Sequence, residues 1–416
     1  MMNKIPKGWE VKKLGEIFNI VRGGSPRPIK SYLTDDKNGI NWIKIGDIET
    51  GSKYITHTKQ KILASGLKKS RAVKAGDLLL TNSMSFGRPY ISKINGAVHD
   101  GWLIFEPKIQ ISKDYVFYFF SSSDTYSKLS NLAVGSTVKN LQINFLENFE
   151  IPLPPLSEQK AIADKLDDSF AKIENAITNL INAKENLKLY KQSVLKSAFN
   201  GDLLPNTSPT HWEVKKLGEI CEIISKGTTP KGGKKVYKDS GILFLRAENI
   251  QENGIVNLEN VKFIDKNIHD NVLKRSKLYN GDLLITIAGT LGRCAVYNND
   301  IEANTNQAIC FVRLNKTYKK YANFIQKFIS LQSTKSQLLN QAKITAIPNL
   351  TLEIIKNLPI PLPPLSEQNL IVAEIDRRFA IVDKTLNLID KSIQNAKNLK
   401  QSILKKAFSG ELRSDI

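Results

Sequence analysis

The sequence predicts an α+β protein. Two globular segments, β-rich with some helices, alternate with two long antiparallel coiled-coil helices, and the whole is pseudo-two-fold symmetric. Three observations predict this. Ile151-Pro152-Leu153-Pro154-Pro155-Leu156-Ser157-Glu158-Gln159 recurs 209 residues later as Ile360-Pro361-Leu362-Pro363-Pro364-Leu365-Ser366-Glu367-Gln368, and Trp9-Glu10-Val11-Lys12-Lys13-Leu14-Gly15-Glu16-Ile17 recurs as Trp212 to Ile220, 203 residues later. Each Pro-rich copy is followed by about 40 residues whose apolar positions step by three and four. The segments before them carry short apolar runs bounded by glycine and asparagine, the pattern of strands and turns. A repeat of this length duplicates whole domains and not solenoid units.

The elements follow in chain order as a globular segment (1–150), a central helix with its flanks (151–205), a second globular segment (206–359) and a C-terminal helix (360–416). In each globular segment, Gly76-Asp77-Leu78-Leu79-Leu80-Thr81 and its echo Gly281-Asp282-Leu283-Leu284-Ile285-Thr286 read as a turn feeding a buried strand, and Ile40 to Ile45 and Ile242 to Arg246 read similarly. The aromatic run Tyr115 to Phe120 and its counterpart Tyr321 to Phe328 read as helices packed on a sheet, core and not base-stacking platforms. The prolines after them cannot be helical, because proline lacks the N–H and clashes with the preceding turn. Ser157 and Ser366 are expected N-caps, and Gly201 and Gly410 stand where a C-terminal glycine stop belongs.

The first seam is Ile162, Leu166, Phe170, Ile173, Ile177 and Leu180. The second is Ile375, Phe379, Val382, Leu386, Ile389 and Ile393, where Lys184 interrupts the first at the position of Ile393. Acids cluster early and bases late in both helices, which suits each macrodipole and favours antiparallel packing, acidic end against basic end. The alternative of two independent hairpins leaves each seam unburied. The two helical stretches are the more alike, with 24 of 53 positions identical between 151–203 and 360–412, whereas the globular segments share little beyond pattern. One duplicated part is held to one job while the other is free to differ.

The net charge is +20, and the helical stretches hold only +1 and +3, so +16 lies mostly on the globular segments. A polyanion, nucleic acid before anionic membrane, is expected to meet those segments. A merely lysine-rich composition is the alternative. No apolar run approaches the roughly 18 residues of a membrane span, and the N-terminus lacks the apolar stretch of a signal peptide, so no membrane partner and a cytoplasmic location are expected. Cys221, Cys294 and Cys310 show no paired spacing and indicate neither a disulfide framework nor a metal site.

Catalytic patterns are missing. The four histidines stand in no ligand spacing, and the glycine–lysine run from Gly227 to Lys235 has one residue too many for a phosphate loop and lacks its Ser/Thr. No Asn/Asp-Pro-Pro-Tyr/Phe methyltransferase motif or PD…(D/E)xK nuclease pattern stands out. No catalytic or metal-ligating residue is assigned. For contact with DNA, three pairs of basic, polar turns at matching places are the candidates. The first holds Arg22, Ser25, Arg27 and Lys30, opposite Lys226, Thr228, Lys231, Lys234 and Lys235. The second holds Asn82, Ser83 and Arg88, opposite Thr290 and Arg293. The third holds Lys139 and Asn140, opposite Lys343 and Asn349. Glycines let backbone N–H groups approach phosphates, and Arg, Lys and Asn carry the donors that read base edges.

Together the Trp-Glu-x-x-x-Leu-Gly-Glu-Ile openings, the Ile-Pro-Leu-Pro-Pro-Leu-Ser-Glu-Gln segments and the Ala-Phe-x-Gly-(Asp/Glu)-Leu helix ends resemble the specificity subunit of type I restriction–modification systems, over essentially the whole chain. The resemblance implies two target recognition domains that read the halves of a bipartite, asymmetric site in double-stranded DNA, about one DNA turn apart, with the helices setting the spacer. It implies docking of two modification subunits, which bind S-adenosylmethionine and methylate adenine, and of restriction subunits using ATP and Mg for translocation and cleavage. The helix seams and Ser-Glu-Gln segments become candidates for helix pairing and partner docking, and the turns for base reading. A self-sufficient enzyme and a coiled-coil adaptor are the alternatives.

Overall fold

The computed structural model describes residues 6–48, 51–82, 86–132, 141–205, 207–342 and 349–412. The chain divides into two units. The first comprises Met1–Ile181 with Asp390–Ile416, and the second Asn182–Ile389. Each therefore combines one globular segment with the near part of one long helix and the far part of the other.

In the first unit, the opening strand Glu10–Lys13 pairs antiparallel with Glu150–Leu153, the proline-bearing strand that leads into the helix. A five-stranded sheet follows in the order Phe18–Arg22, Trp102–Pro107, Leu78–Thr81, Pro89–Ser92, Tyr54–Ile55. A second five-stranded sheet runs Leu33–Thr34, Lys61–Ile62, Ile40–Ile43, Gly96–Val98, Arg71–Val73. Strand Leu78–Thr81 is buried on both faces, as its unbroken apolar run requires. Leu78 and Leu80 pack with the aromatic helix Lys113–Ser121, while Leu79 joins Val98, Trp102 and Ile104 between the sheets. All six residues from Tyr115 to Phe120 are buried, so this run is core.

The second unit repeats the plan with less. Glu213–Lys216 pairs with Pro359–Leu362 in the equivalent register, Glu213 opposite Leu362 as Glu10 is opposite Leu153. Its two sheets have four strands each, Cys221–Lys226, Ile309–Leu314, Leu283–Thr286, Cys294–Val296 and Lys262–Ile264, Ile242–Leu245, Ala303–Thr305, Lys277–Leu278. They match the first unit's sheets without the edge strands Leu33–Thr34 and Tyr54–Ile55. Leu283 and Ile285 face the helical side, and Leu284 lies between the sheets.

The long helices run Leu156–Asn200 and Leu365–Ser409. Within the first unit, Ile162 and Leu166 share a cluster with Leu404 and Ala407, and Glu174 pairs with Lys400 at 2.5 Å. Within the second, Val194, Leu195 and Phe199 pack with Ile371 and Ile375, and Lys191 pairs with Asp383 at 2.5 Å. Early residues of one helix meet late residues of the other, so the segments pair antiparallel in both units. The two ion pairs are repeat equivalents, since Glu174 corresponds to Asp383 and Lys191 to Lys400 at the 209-residue offset. Phe170 lies under the Lys400 ammonium at 5.0 Å and Phe379 under Lys191 at 4.7 Å, which adds a cation–π contact to each. Ile162, Leu166, Ile375, Val382 and Ile389 are buried, while Phe170, Ile173, Ile177, Leu180, Leu386 and Ile393 are half-buried, because a pair of helices covers only one side of each seam.

The helix starts differ from expectation. Ser157 and Ser366 are already in the second helical position. The first turn is closed by the carbonyls of Pro155 and Pro364, which accept the N–H of Gln159 and Gln368 at 2.9 Å. The prolines' preset φ brings the chain into the helix one residue early, and no serine cap is needed there.

The ends behave as glycine stops. Gly201 has φ +81°, and Asp202 N donates to Ser197 O at 2.8 Å, the six-to-one bond of a Schellman motif. A Cβ on Gly201 would also meet Pro209 Cδ at 2.6 Å. Gly201→Ala is therefore expected to destabilise the second unit by about 1–3 kcal/mol, readable as a lower urea midpoint.

Candidate nucleic-acid interface

The first two candidate turns of each unit lie where both its sheets end. In the first unit, Arg22 closes one strand, Thr81 closes its neighbour but one, and Trp102 opens the strand between, with Trp102 opposite Thr81 and Leu103 opposite Arg22. The second sheet ends alongside, where Val98 pairs with Ile43. The link from one sheet to the other is the turn His99-Asp100-Gly101. Arg22 Nε donates to Asp100 O at 2.8 Å, Ser25 Oγ to Asp100 Oδ1 at 2.9 Å, and Asn82 N to Gly101 O at 2.8 Å. Gly23 must be glycine for this, since a Cβ there would lie 2.1 Å from His99 O. Leu141 N in turn donates to Asn82 Oδ1 at 2.9 Å. The first turn and the start of the second thus meet at a single crossing point.

The second unit converges in the same way on residues 305–308. Thr228 N donates to Thr305 O at 2.9 Å, Ile287 N to Ala308 O at 2.8 Å, and Leu350 N to Ile287 O at 3.1 Å. Gly227 is the counterpart of Gly23, with 2.1 Å from a built Cβ to Thr305 O.

The individual candidates divide. Arg27, with its side chain 83% exposed, lies 3.8 Å from Asp100, and Lys30 and Arg88 are exposed. Lys226, Lys231, Lys234 and Lys235 are exposed in the second unit, the last two on the turn Gly233–Val236, and Thr290 and Asn349 are exposed too. Thr228 is half-buried and accepts from Arg275 at 3.2 Å. Asn82 is a correction. It is 1% exposed, and its side-chain Oδ1 accepts the Leu141 N–H at 2.9 Å, which also reaches the Asn82 carbonyl at 3.4 Å. Arg293 is likewise held inside the unit. Its guanidinium meets Glu252 at 3.2 Å and the Ile250 carbonyl at 3.2 Å, and Lys335 joins the same carboxylate. Burial works against the charge on Glu252, but Lys335 and Arg293 outweigh it and hold the carboxyl below its usual range. Ser83, Lys139, Asn140 and Lys343 fall outside the described residues.

The structure adds residues that the sequence reading passed over. Lys44 follows the strand Ile40–Ile43, and Arg246 follows Ile242–Leu245, its equivalent. Both are held by a side chain three residues on: Asp47 Oδ2 accepts Lys44 N at 3.4 Å, and Asn249 Oδ1 accepts Arg246 N at 2.8 Å. Arg246 Nε is buried with no hydrogen-bond partner among the described residues. The available signal was aromatic–apolar–basic at matching places, Trp42-Ile43-Lys44 and Phe244-Leu245-Arg246. His99 sits between the sheets' ends. Burial lowers its pKa, against a smaller opposing effect of Asp100. Ile45 N lies 3.2 Å from Nε2 and Gly101 N 2.7 Å from Nδ1, and a neutral ring accepts from one of them only.

The repeated motifs have a different task, at the root of each helix. Trp9 Nε1 donates to Glu158 Oε1 at 3.0 Å, and Trp212 Nε1 to Glu367 Oε1 at 3.0 Å. Buried Gln159 accepts from Ser112 N at 3.0 Å and donates to Pro154 O at 2.8 Å, while Gln368 donates to Lys320 O at 3.0 Å. Asp167 is held by Lys53 at 2.8 Å and its equivalent Asp376 by Lys327 at 2.8 Å. These bonds clamp each globular part to its helix. Among the described residues no group of three or more His, Cys, Asp or Glu is placed to hold a metal ion, and no helix is long and apolar enough to cross a membrane.

The chain is 31% identical over 429 residues to the type I restriction enzyme EcoBI specificity subunit of Escherichia coli, covering 98% of this chain and 87% of that protein. It is 28% identical over 430 residues to the EcoKI specificity subunit of Escherichia coli K12, covering 98% and 90%. Among solved structures, a chain from a study of complex assembly and conformational transition of the type I R-M system superposes with a TM-score of 0.74 at 18% identity, over 97% of this chain and 98% of that one. The HsdS subunit from Thermoanaerobacter tengcongensis superposes with a TM-score of 0.57 at 20% identity, over 98% of each. The family model for the type I restriction modification DNA specificity domain matches twice, over residues 6–183 and 209–396. Each match takes in one globular segment and most of the helix that follows it, the same unit of duplication that the repeated motifs mark, and on that ground the chain belongs to the type I restriction modification DNA specificity family.

Proposed function

We propose that this chain is the DNA-reading subunit of a type I restriction–modification complex and that each unit reads one half of a bipartite, asymmetric duplex site. The observation that carries this reading is the convergence of exposed basic turns at one end of the sheets in each unit, built on a repeated frame but with different residues. Similar frames place the turns alike, and dissimilar turns present different donors, so the two half-sites differ. The relatives named as specificity subunits support the same reading.

In this reading the chain carries no catalysis of its own. Two modification subunits dock on the helical frame, bind S-adenosylmethionine and methylate adenine in each half-site, and restriction subunits supply ATP- and Mg-dependent translocation and cleavage. The work takes place on DNA in the cytoplasm. The exposed cations of the turns neutralise phosphates and set the register, while Arg, Lys and Asn side chains read base edges.

Exchanging residues 20–148 for the segment of another family member is expected to change one half of the methylated site and leave the other as it was, measured by mapping methylated adenines in the host genome. A change in both halves, or in neither, would overturn the assignment of one reader per unit. The helices are proposed to set the spacer. Inserting two heptads into the first long helix is expected to alter the preferred spacer or abolish activity while both half-site words persist. Altered words would mean that the helices touch bases.

A further inference from the structure

Beside the crossing point of the first unit lies a cavity of about 730 Å³, within the range of small-ligand sites. Its walls are mostly apolar. Pro26, Pro28 and Ile29 of the first turn face Trp42 of the second sheet, with the His99 ring completing the lining. The Trp42 and His99 rings are 6.3 Å apart between centroids and inclined at 57°; Trp42 is only 2% exposed, so the half-buried His99 ring is the more open of the two π-systems. Arg27 and Lys44 stand in the same lining and supply two cations next to the apolar walls. Two acids are nearby: the Asp100 carboxylate is engaged by the Ser25 hydroxyl at 2.9 Å and lies 3.8 Å from Arg27, and the Asp47 carboxylate accepts from Lys44 N at 3.4 Å.

An apolar slot with flat rings and flanking cations suits a molecule that is flat and uncharged at one end and anionic at the other. It is far larger than a thymine methyl group needs. A nucleotide that has left the base stack has the required chemistry: its base fills the apolar slot, and its phosphates meet the cations. The cavity also opens at the sheet end where the exposed basic turns converge, so a duplex lying on those turns brings nucleotides to it.

We propose that this cavity receives one unstacked nucleotide of the half-site read by the first unit, an inference that rests on the DNA-reading function above. Unstacking costs a few kcal/mol, and stacking in the cavity returns about 1–3 kcal/mol, so the exchange favours whichever base is easiest to extrude at that position. The cavity thereby contributes to sequence preference without reading a base edge in a groove.

The test uses the chain purified with its modification subunit and a duplex carrying the genome-mapped site. Each nucleotide of the first unit's half-site is replaced in turn, on either strand, by an abasic residue, and binding is measured by fluorescence anisotropy at fixed salt. At one position the abasic residue is expected to tighten wild-type binding severalfold, because it removes the unstacking cost, which exceeds the stack lost with it. The same abasic position is expected to change the affinity of Ile29→Trp, which fills the cavity, by less than about twofold. If Ile29→Trp fails to fold by circular dichroism, Ile29→Phe takes its place. At that position 2-aminopurine is expected to brighten on binding the wild type and to stay quenched with the filled variant. A wild type that binds its half-site specifically but shows no position separating it from the filled variant overturns the cavity proposal alone. A wild type with no sequence preference at all overturns the DNA-reading function with it.

Discussion

Truncating Ile375 to alanine is expected to destabilise the second unit by about 2–5 kcal/mol, the cost of deleting a fully buried branched side chain and leaving a cavity. Ile375 has no exposed surface and lies in a cluster with Val194, Phe199, Trp212 and Phe324. That cluster joins both helices to the aromatic helix of the globular part, so one truncation loosens three elements together. Leu166 is its repeat equivalent in the first unit and is equally buried among Leu404, Ala407 and the helix of aromatic residues. Urea denaturation followed by tryptophan fluorescence measures the effect. Leu388→Ala is the control: Leu388 is on the same helix but 54% exposed, and its truncation is expected to change stability by no more than about 0.5 kcal/mol. Equal midpoints for the two variants would mean that the seam is not what holds the unit together.

The second large effect concerns DNA. Replacing Lys231, Lys234 and Lys235 together by alanine is expected to make the salt dependence of binding shallower by about 2.7 in log K against log salt, three phosphate contacts at 0.9 each. Near 50 mM salt the same loss amounts to roughly a thousandfold in affinity, because the counterion term is largest there. All three lysines are exposed, so the substitutions disturb no packing and a fall in affinity reads as lost electrostatics. The methylated sequence itself is expected to stay the same, since phosphate contacts position the protein without specifying bases. An unchanged slope would turn this face of the second unit away from the duplex.

The two effects separate cleanly in the molecule. Ile375 sits in the part of the chain that is most alike between the halves, and the lysines sit in the part that is most different. Substitutions at equivalent frame positions, Leu166 and Ile375, are therefore expected to act alike on the stability of the first and second units. Substitution in the turns is expected to act on one half-site at a time.

Much of this was legible in the order of residues. The steps of three and four from Ile162 to Leu180, and from Ile375 to Ile393, read directly as helix, because burying one face of a helix demands that spacing. Gly201 and Gly410 read as stops because a left-handed residue suits glycine best. Leu78 to Leu80 read as a strand covered on both faces, since an unbroken apolar run has no side to give to water. Where a short polar side chain would point was not legible in the same way. Asn82 and Arg88 stand in one turn and look alike as donors. Yet one caps the N–H of Leu141 from within and the other is exposed. Arg293 resembles a free cation until Glu252, 41 residues earlier, arrives beside it.

By itself the sequence determined the duplication, the long helices and their seams, the buried strands and the places where turns occur, because each of these depends on local spacing and on the short-range preferences of proline and glycine. Only the tertiary structure decided that the first two turns of each unit meet at one crossing point, that Lys44 and Arg246 join them, and that Glu158 and Gln159 act as clamps. Those outcomes depend on hydrogen bonds between residues far apart in the chain. The chain's local pattern carries no record of which distant backbone group a given side chain will satisfy.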